Sequence, residues 1–139
     1  MTQQLVIYWD TSAVVSTLFI DEHTELAEQN LHLDAVHFLS SLALAETHAV
    51  IHRLRRERVL ANILIDAALE TLAEGPWRAL RTVPGESEIK TIARKYCLNG
   101  ADLWHLSLVK TMRSHLPEIK ILTFDGRLQG AAKDCGLAI

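Results

Sequence analysis

Apolar and polar positions divide the chain into short apolar runs and longer segments with helical periodicity. The first run, Leu5–Trp9, contains only aliphatic and aromatic residues and ends abruptly at Asp10. Such a continuous run is typical of a strand buried on both faces of a parallel sheet. Ser12 and the small and apolar residues after it predict a helix. Asp10 is therefore expected at the carboxyl end of a strand, where open α/β sheets bind their ligands.

The rest of the pattern predicts a succession of strands and helices. Further strands are predicted over residues 35–39, 80–83 and 119–124, with an edge strand over 137–139. Helices are predicted over residues 22–32, 42–58, 62–74, 86–96, 101–114 and 127–135. Asp21 and the serines Ser40 and Ser41 are predicted N-caps. Because strands alternate with helices and no hairpin signal intervenes, we predict a parallel sheet covered by helices.

Composition and charge agree with a single folded domain over residues 1–139. Hydrophobic residues make up 49% of the chain and charged residues 22%, which argues against disorder. The formal net charge of −3 excludes a generally basic nucleic-acid-binding protein but leaves room for a local basic patch. No basic segment precedes the first apolar run, and no apolar stretch approaches the roughly 20 residues of a membrane helix. We therefore expect a cytoplasmic protein without a signal peptide or membrane association.

Two aspartates directly follow predicted strands. Asp10 ends the first strand, and Asp125 follows the apolar run ILTF and precedes a predicted helix. Either side chain can act simply as a helix N-cap, which is worth about 1 kcal/mol. Each also lies at the edge of the sheet where ligands bind. For each residue taken alone, both alternatives stay open.

Two further carboxylates lie on helix faces that are otherwise apolar. Glu46 shares its face with small and apolar residues three and four positions away; the alternatives to a site are pairing with Arg53 or a face that is only half buried. Asp102 shares its face with Leu106 and Val109, although a first-turn aspartate can also act through the helix dipole. These positions predict that both carboxylates point inward, toward the sheet.

If these four side chains converge, their charges need a counter-ion. Two like charges about 4 Å apart repel by about 4 kcal/mol at an effective dielectric constant near 20. Such a cluster raises its own pKa values or binds a cation. Oxygen ligands with open positions suit Mg²⁺ or Mn²⁺ better than zinc. The pattern therefore predicts a divalent-metal site at the edge of the sheet.

Four short motifs, in this order, resemble the PIN-domain ribonucleases, and in particular the VapC toxins of bacterial and archaeal toxin–antitoxin pairs. They are DTSA at residues 10–13, SLALAE at 41–46, LNGADLWHL at 98–106 and TFD at 123–125. The resemblance implies an α/β fold, a Rossmann-like α/β/α sandwich with a central parallel sheet. It also implies an endoribonuclease that hydrolyses RNA phosphodiester bonds with Mg²⁺ or Mn²⁺.

The resemblance further implies a role for each motif residue. The catalytic and metal-binding set would be Asp10, Glu46, Asp102 and Asp125. The residues that orient these carboxylates through hydrogen bonds would be Thr11, Ser12 and Thr123. All of these carboxylates are expected to bind the ion directly except Glu46, which could bind through water. A cognate VapB-type antitoxin is the implied protein partner.

Residues outside the motifs suggest where partners bind. Candidate contacts to RNA phosphates are Arg53, Arg56 and Arg113. A solvated face or cations placed at a helix C-terminus are the alternative interpretation. Candidates for an apolar groove that binds the antitoxin, or for a homodimer surface, are Leu60, Ile63, Leu64 and Leu72. Ordinary core packing is the alternative for these residues.

Other interpretations compete with a nuclease. A non-catalytic PIN-like module that binds RNA or protein would not need to keep four carboxylates. A phosphate-receiving domain would need an acidic pair after the first strand, where this chain has only Asp10. His48 and His52 have the i, i+4 spacing of zinc ligands, but neither a neighbouring Glu nor a third ligand lies nearby. His105 is expected to be a neutral, partly buried residue, with substrate contact as the alternative.

Overall fold

The computed structural model describes residues 4–139 and contains a four-stranded sheet in which every pairing is parallel. The strands are β1 (Leu5–Trp9), β2 (Ala35–Ser40), β3 (Trp77–Leu80) and β4 (Ile119–Leu122), in the spatial order β3-β2-β1-β4. Residues 1–3 of the predicted single domain lie outside the described residues. The prediction of a parallel sheet covered by helices is confirmed.

Seven helices connect and cover the described strands. They are α1 (Thr11–Leu18), α2 (Thr24–Leu31), α3 (Ser41–Arg56), α4 (Asn62–Glu74), α5 (Glu86–Lys95), α6 (Gly100–Met112) and α7 (Gly126–Asp134). Within residues 4–139, no helix is long and apolar enough to span a membrane.

The central strand β1 is buried because its side chains point alternately to the two faces of the sheet. Val6 and Tyr8 pack in a core cluster with buried residues of α6 and α7, including Leu106. Ile7 and Trp9 pack in a second cluster with buried residues of α1, α3 and α4. Both faces of β1 are therefore covered, which explains its uninterrupted apolar sequence and confirms the α/β/α sandwich.

The register of the sheet brings the ends of β1 and β4 together. Trp9 pairs with Leu122, and the Asp10 backbone N–H donates to the Leu122 carbonyl at 3.2 Å. Asp10 and Thr123 are therefore the first residues beyond the carboxyl ends of two adjacent strands. The strand order alone makes these distant positions neighbours.

Polar side chains start the helices that leave this edge of the sheet. Asp10, Ser40 and Asp125 cap α1, α3 and α7, each accepting a hydrogen bond from the backbone N–H three residues later. Such caps satisfy donors that a helix leaves unpaired in its first turn. The N-cap interpretation of Asp10 and Asp125 is confirmed, and the capping places both carboxylates at the carboxyl edge.

The largest correction to the sequence-based prediction concerns β3. It was predicted over residues 80–83, but it lies at Trp77–Leu80 and pairs with β2. Trp77 packs edge-on against Trp9 with ring centroids 5.7 Å apart, whereas Val83 is 69% exposed. Burial of the tryptophan against the central strand outweighs the local turn signal that was used to place the strand.

Smaller corrections concern the ends of elements. α2 begins at Thr24 because the Asp21 carboxylate accepts a hydrogen bond from the His23 backbone N–H at 2.8 Å instead of capping a helix at residue 22. α3 begins one residue earlier than predicted and ends at Arg56, before Arg58 takes a left-handed backbone conformation. β4 ends at Leu122, two residues early. The predicted edge strand over 137–139 is reduced to one bridge between residues 121 and 138.

The placement of the two core clusters predicts that isoleucines on neighbouring helices contribute differently to the free energy of unfolding. Ile51 in α3 is fully buried, and Ile63 in α4 is 76% exposed. Ile51→Ala should lower the free energy of unfolding by about 2–5 kcal/mol through lost burial and a cavity. Ile63→Ala, the matched control, should change it by less than about 0.5 kcal/mol. Urea unfolding followed by circular dichroism measures both, and equal effects would contradict this placement of the core.

Candidate active site

A cavity of about 280 Å³ at the carboxyl edge of the sheet brings all four predicted carboxylates together. Its lining consists of Asp10, Thr11, Ser12, Val15, Glu46, Val50, Asn99, Asp102, His105 and Asp125. The carboxylates come from the ends of β1 and β4 and from α3 and α6. Side chains separated by up to 115 positions thus share one small space.

Asp10 is the most tightly held of these carboxylates. It is 3% exposed, and its Oδ1 accepts hydrogen bonds from the Ser12 hydroxyl at 2.7 Å and the Ala13 backbone N–H at 2.9 Å. Its Oδ2 accepts from the Thr123 hydroxyl at 2.5 Å. Burial raises the pKa of Asp10, while these three hydrogen bonds act to lower it. The hydrogen bonds offset part of the cost of placing this carboxylate under the sheet edge.

Ser12 and Thr123 also connect α1 to the turn between β4 and α7. The Ser12 hydroxyl oxygen accepts from the Phe124 backbone N–H at 2.9 Å, and the Thr123 hydroxyl oxygen accepts from the Asp125 backbone N–H at 3.1 Å. Both hydroxyls therefore donate to Asp10, and both accept from backbone N–H groups of the turn between β4 and α7. They fix the position of Asp10 relative to Asp125.

Asp102 lies in the first turn of α6, and Asp125 is the N-cap of α7. The Asn99 side chain caps α6 by accepting from the Asp102 backbone N–H at 2.8 Å, which leaves the Asp102 carboxylate free of this task. Asp125 Oδ1 accepts from the Leu128 backbone N–H at 2.9 Å. Burial raises the pKa of Asp102, and the charges of Asp125 and Asp10 raise it further. The carboxylates therefore repel one another across the cavity.

Glu46 has its own partners. Its Oε1 accepts hydrogen bonds from the Thr11 hydroxyl and from His105 Nε2, both at 2.8 Å. The bond from His105 is the main reason why the pKa of Glu46 lies below its usual value, although partial burial acts in the opposite direction. Arg53, the alternative partner considered from the sequence, is exposed and forms no ion pair with Glu46 within residues 4–139.

His105 lines the cavity and Tyr8 supports it from the core, although local sequence patterns carry only a weak signal for either residue. His105 was expected to be partly buried; it is 1% exposed and contacts Glu46 rather than lying open to a substrate. Its Nδ1 is hydrogen-bonded to the Tyr8 hydroxyl at 2.5 Å. The only available hint was a histidine one helical turn after Asp102 on an apolar face.

The predicted arginines lie outside the cavity lining. Arg53 and Arg56 are exposed on α3, the helix that carries Glu46. Arg113 caps the far end of α6, roughly 16 Å along the helix axis from Asp102. Its Nη2 donates to the Cys135 carbonyl at 2.6 Å. RNA binding by these residues stays a prediction.

No group of three or more His, Cys, Asp or Glu side chains within residues 4–139 is already arranged to hold one metal ion. This finding covers the acidic cavity as well as His48 and His52, whose rings stack 6.0 Å apart. The oxygen-only donor set still fits Mg²⁺ or Mn²⁺, since Mg²⁺ commonly keeps several waters and binds one or two carboxylates directly. The individual roles of the carboxylates therefore stay predictions.

The mutual repulsion predicts that removing one charge stabilises the metal-free protein. Because the pKa of Asp102 is raised above its usual 3.8, the folded state loses stability as pH rises through this range. In EDTA at about pH 8, Asp102→Asn should raise the free energy of unfolding by up to about 1 kcal/mol, after allowance for solvent screening.

The gain from Asp102→Asn should shrink toward about pH 4, where the aspartate is increasingly protonated. Urea unfolding at both pH values measures it, with Asp34→Asn at an exposed position as the control. If Asp102→Asn destabilises the protein at the higher pH, carboxylate repulsion does not dominate in the cavity.

Comparison with known proteins agrees with this fold and cavity. The family model described as "PIN domain" matches residues 7–134. The crystal structure of Mycobacterium tuberculosis VapC20, a sarcin–ricin loop cleaving toxin, is similar, with a TM-score of 0.58 and 19% sequence identity. That match covers 90% of this chain and 94% of VapC20. No curated protein matches the sequence. The match over nearly the whole length means that this chain belongs to the PIN domain family.

Proposed function

We propose that this PIN domain is a divalent-metal-dependent endoribonuclease and the toxin of a VapBC-type toxin–antitoxin pair. The observation that carries the proposal is the convergence of Asp10, Glu46, Asp102 and Asp125 on one cavity. The structural similarity to VapC20 supports this proposal at the level of the fold. A cytoplasmic location is part of the same proposal.

Electrostatics supports a bound cation as part of this function. The pKa values of both Asp10 and Asp102 are raised, and no Lys or Arg side chain is among the described residues that line the cavity. A divalent cation would relieve the repulsion that contributes to the raised pKa of Asp102. When bound, Mg²⁺ or Mn²⁺ would activate water and stabilise charge on the phosphodiester oxygens.

Each carboxylate of the cavity has a different capacity to bind that ion. Asp10 Oδ1 accepts two hydrogen bonds, whereas Oδ2 accepts only one and retains a lone pair, so Asp10 can bind a cation through Oδ2 from a fixed position. Asp125 uses Oδ1 as a helix cap and has Oδ2 for the cavity. The pKa of Asp102 is raised by the negative charges of the other three carboxylates, which a bound cation would offset. We assign these three as the principal ligands and Glu46 as the fourth, directly or through water.

RNA is the proposed substrate, and positive charge near the cavity would help to hold it. The chain carries a net charge of −3, so attraction must be local. Arg55 is paired with Asp66 at 2.5 Å, whereas Arg53 and Arg56 are exposed on the same helix as Glu46. Arg53 and Arg56 are therefore the better candidates for phosphate contacts, and Arg113 is the more distant one.

The proposed antitoxin has an apolar surface to bind. A cavity of about 480 Å³ lies between the end of α1 and the helices α3 and α4, and its lining includes Leu60 and Leu64. Ile63 is exposed beside Leu64, while Leu72 is buried in the core and is not available. We propose that Leu60, Ile63 and Leu64 contact an apolar segment of the antitoxin, with a homodimer through the same surface as the competing outcome.

A non-catalytic PIN-like module remains the second candidate from the sequence. Helix capping explains the hydrogen bond between Asp10 and Ala13 in such a module, but it does not explain why four carboxylates share one cavity, because losing some of these charges would relieve their repulsion. The two candidates differ in one observable, metal-dependent cleavage of RNA.

Purified protein should cleave RNA with Mg²⁺ or Mn²⁺ and lose this activity in EDTA. Asp10→Asn should reduce the cleavage rate by at least about 100-fold, since even outer partners of metal ligands are worth about 10–100-fold. Asparagine can still cap α1, so the fold should persist. The rate is measured from gel-resolved products of a labelled RNA.

Asp34→Asn is the matched control for RNA cleavage, because it removes one exposed carboxylate outside the cavity. It should cleave RNA like the unmodified protein. Activity that resists EDTA and survives Asp10→Asn would rule out this site. Folded protein that binds RNA without cleaving it in either metal would favour the non-catalytic module.

A further inference from the structure

A chain of buried polar side chains crosses the core and ends on Glu46. The Ser40 hydroxyl contacts the Tyr8 hydroxyl at 2.8 Å, and the Tyr8 hydroxyl contacts His105 Nδ1 at 2.5 Å. His105 Nε2 then contacts Glu46 Oε1 at 2.8 Å. Ser40, Tyr8 and His105 are each at most 1% exposed, whereas Glu46 reaches the cavity. The chain thus connects the apolar core to one carboxylate of the site.

Hydrogen-bond chemistry determines the donor at Glu46 and allows one consistent direction along the rest of this chain. An ionised carboxylate only accepts, so His105 Nε2 carries the proton that is shared with Glu46. Burial raises the pKa of Tyr8, so its hydroxyl keeps its proton and can donate to His105 Nδ1. Ser40 accepts from the Ala43 backbone N–H at 3.1 Å and can then donate its own proton to the Tyr8 oxygen. In this arrangement Ser40, Tyr8 and His105 each donate one hydrogen bond.

Packing alone does not require these residues. Tyr8 lies in the core cluster formed with Leu106 and Leu108, where phenylalanine would supply nearly the same apolar surface. Burying a hydroxyl or an imidazole is unfavourable unless each polar atom finds a partner. The arrangement therefore makes sense only in relation to the group at its end, which is Glu46.

The geometry at Glu46 indicates what the chain does. Thr11 and His105 both donate to Oε1, and among the described hydrogen bonds none involves Oε2. Two donors from different elements, α1 and α6, restrict the rotation of the carboxylate. Oε2 is left for whatever enters the cavity.

We infer that His105, held by Tyr8 and Ser40, is a positioning residue that fixes Glu46 Oε1 and leaves Oε2 to bind the divalent ion or its water. The consequence for the ion rests on the proposed function. The positioning itself is a property of the metal-free protein and can be tested without any metal.

The metal-free test is the tautomer of His105. Long-range ¹H–¹⁵N spectra of ¹⁵N-labelled protein in EDTA should show a proton on His105 Nε2. Glu46→Gln should shift the signals of both ring nitrogens, because it replaces the acceptor at this proton. Absence of a proton from Nε2 in the unmodified protein, or signals that do not respond to Glu46→Gln, would overturn the inference.

The metal test compares variants that keep or remove the donor. His105→Leu should weaken Mn²⁺ binding by about 10–100-fold, as expected for a group that orients a ligand. His105→Gln places an amide N–H near the position of Nε2 and should recover most of the affinity. Tyr8→Phe, which leaves His105 but removes its support, should give a smaller loss. Isothermal titration calorimetry with Mn²⁺ measures each affinity.

Ser107→Ala is the matched control on the same helix, because the buried Ser107 hydroxyl has no described hydrogen-bond partner. It should bind Mn²⁺ like the unmodified protein. Equal affinity of folded His105→Leu and the unmodified protein, or equal losses in His105→Leu and His105→Gln, would overturn the role toward the ion. If the unmodified protein neither binds Mn²⁺ nor cleaves RNA, the proposed function fails, while the tautomer result still decides whether His105 positions Glu46.

Discussion

Repulsion between carboxylates at the carboxyl edge of the sheet is the constraint on which the rest of the structure depends. Asp10 and Asp102 have raised pKa values because they are partly or fully buried, and Asp102 also faces the charges of Asp125 and Asp10. A fold that holds such a cluster needs compensating donors. It supplies them from backbone N–H groups at helix starts and from Ser12, Thr123, Thr11 and His105. These hydrogen bonds therefore hold the carboxylates in the cavity despite their mutual repulsion.

The same side chains serve the fold and the candidate site. Asp10 and Asp125 cap the helices that follow β1 and β4, and the hydroxyls of Ser12 and Thr123 join these two helix starts. The alternatives of structural cap and functional ligand, which the sequence left open, are thus compatible. A carboxylate that caps a helix is held in place by its own backbone, which is a useful property for a group that must face other negative charges.

The sequence predicted those features that depend on local patterns. The limits of β1 and α4 agree with their apolar runs and turn signals, and the positions of Asp10 and Asp125 follow from strand ends. β3 was misplaced because the packing of Trp77 against Trp9, 68 positions away, leaves no local mark. The contact between Tyr8 and His105 spans 97 positions and likewise depends on tertiary structure alone. Burial of Leu72 and exposure of Ile63 also follow from how α4 docks, which its composition does not determine.

Direct observation of the ion tests the central claim that this cavity is a divalent-metal site. Crystals of the unmodified protein grown with Mn²⁺ should give an anomalous difference peak between Asp10, Asp102 and Asp125, with Glu46 bound directly or through water. The same experiment on Asp10→Asn should give a weaker peak or none. An empty cavity in well-ordered crystals of the unmodified protein, or a peak only at another surface, would contradict the account.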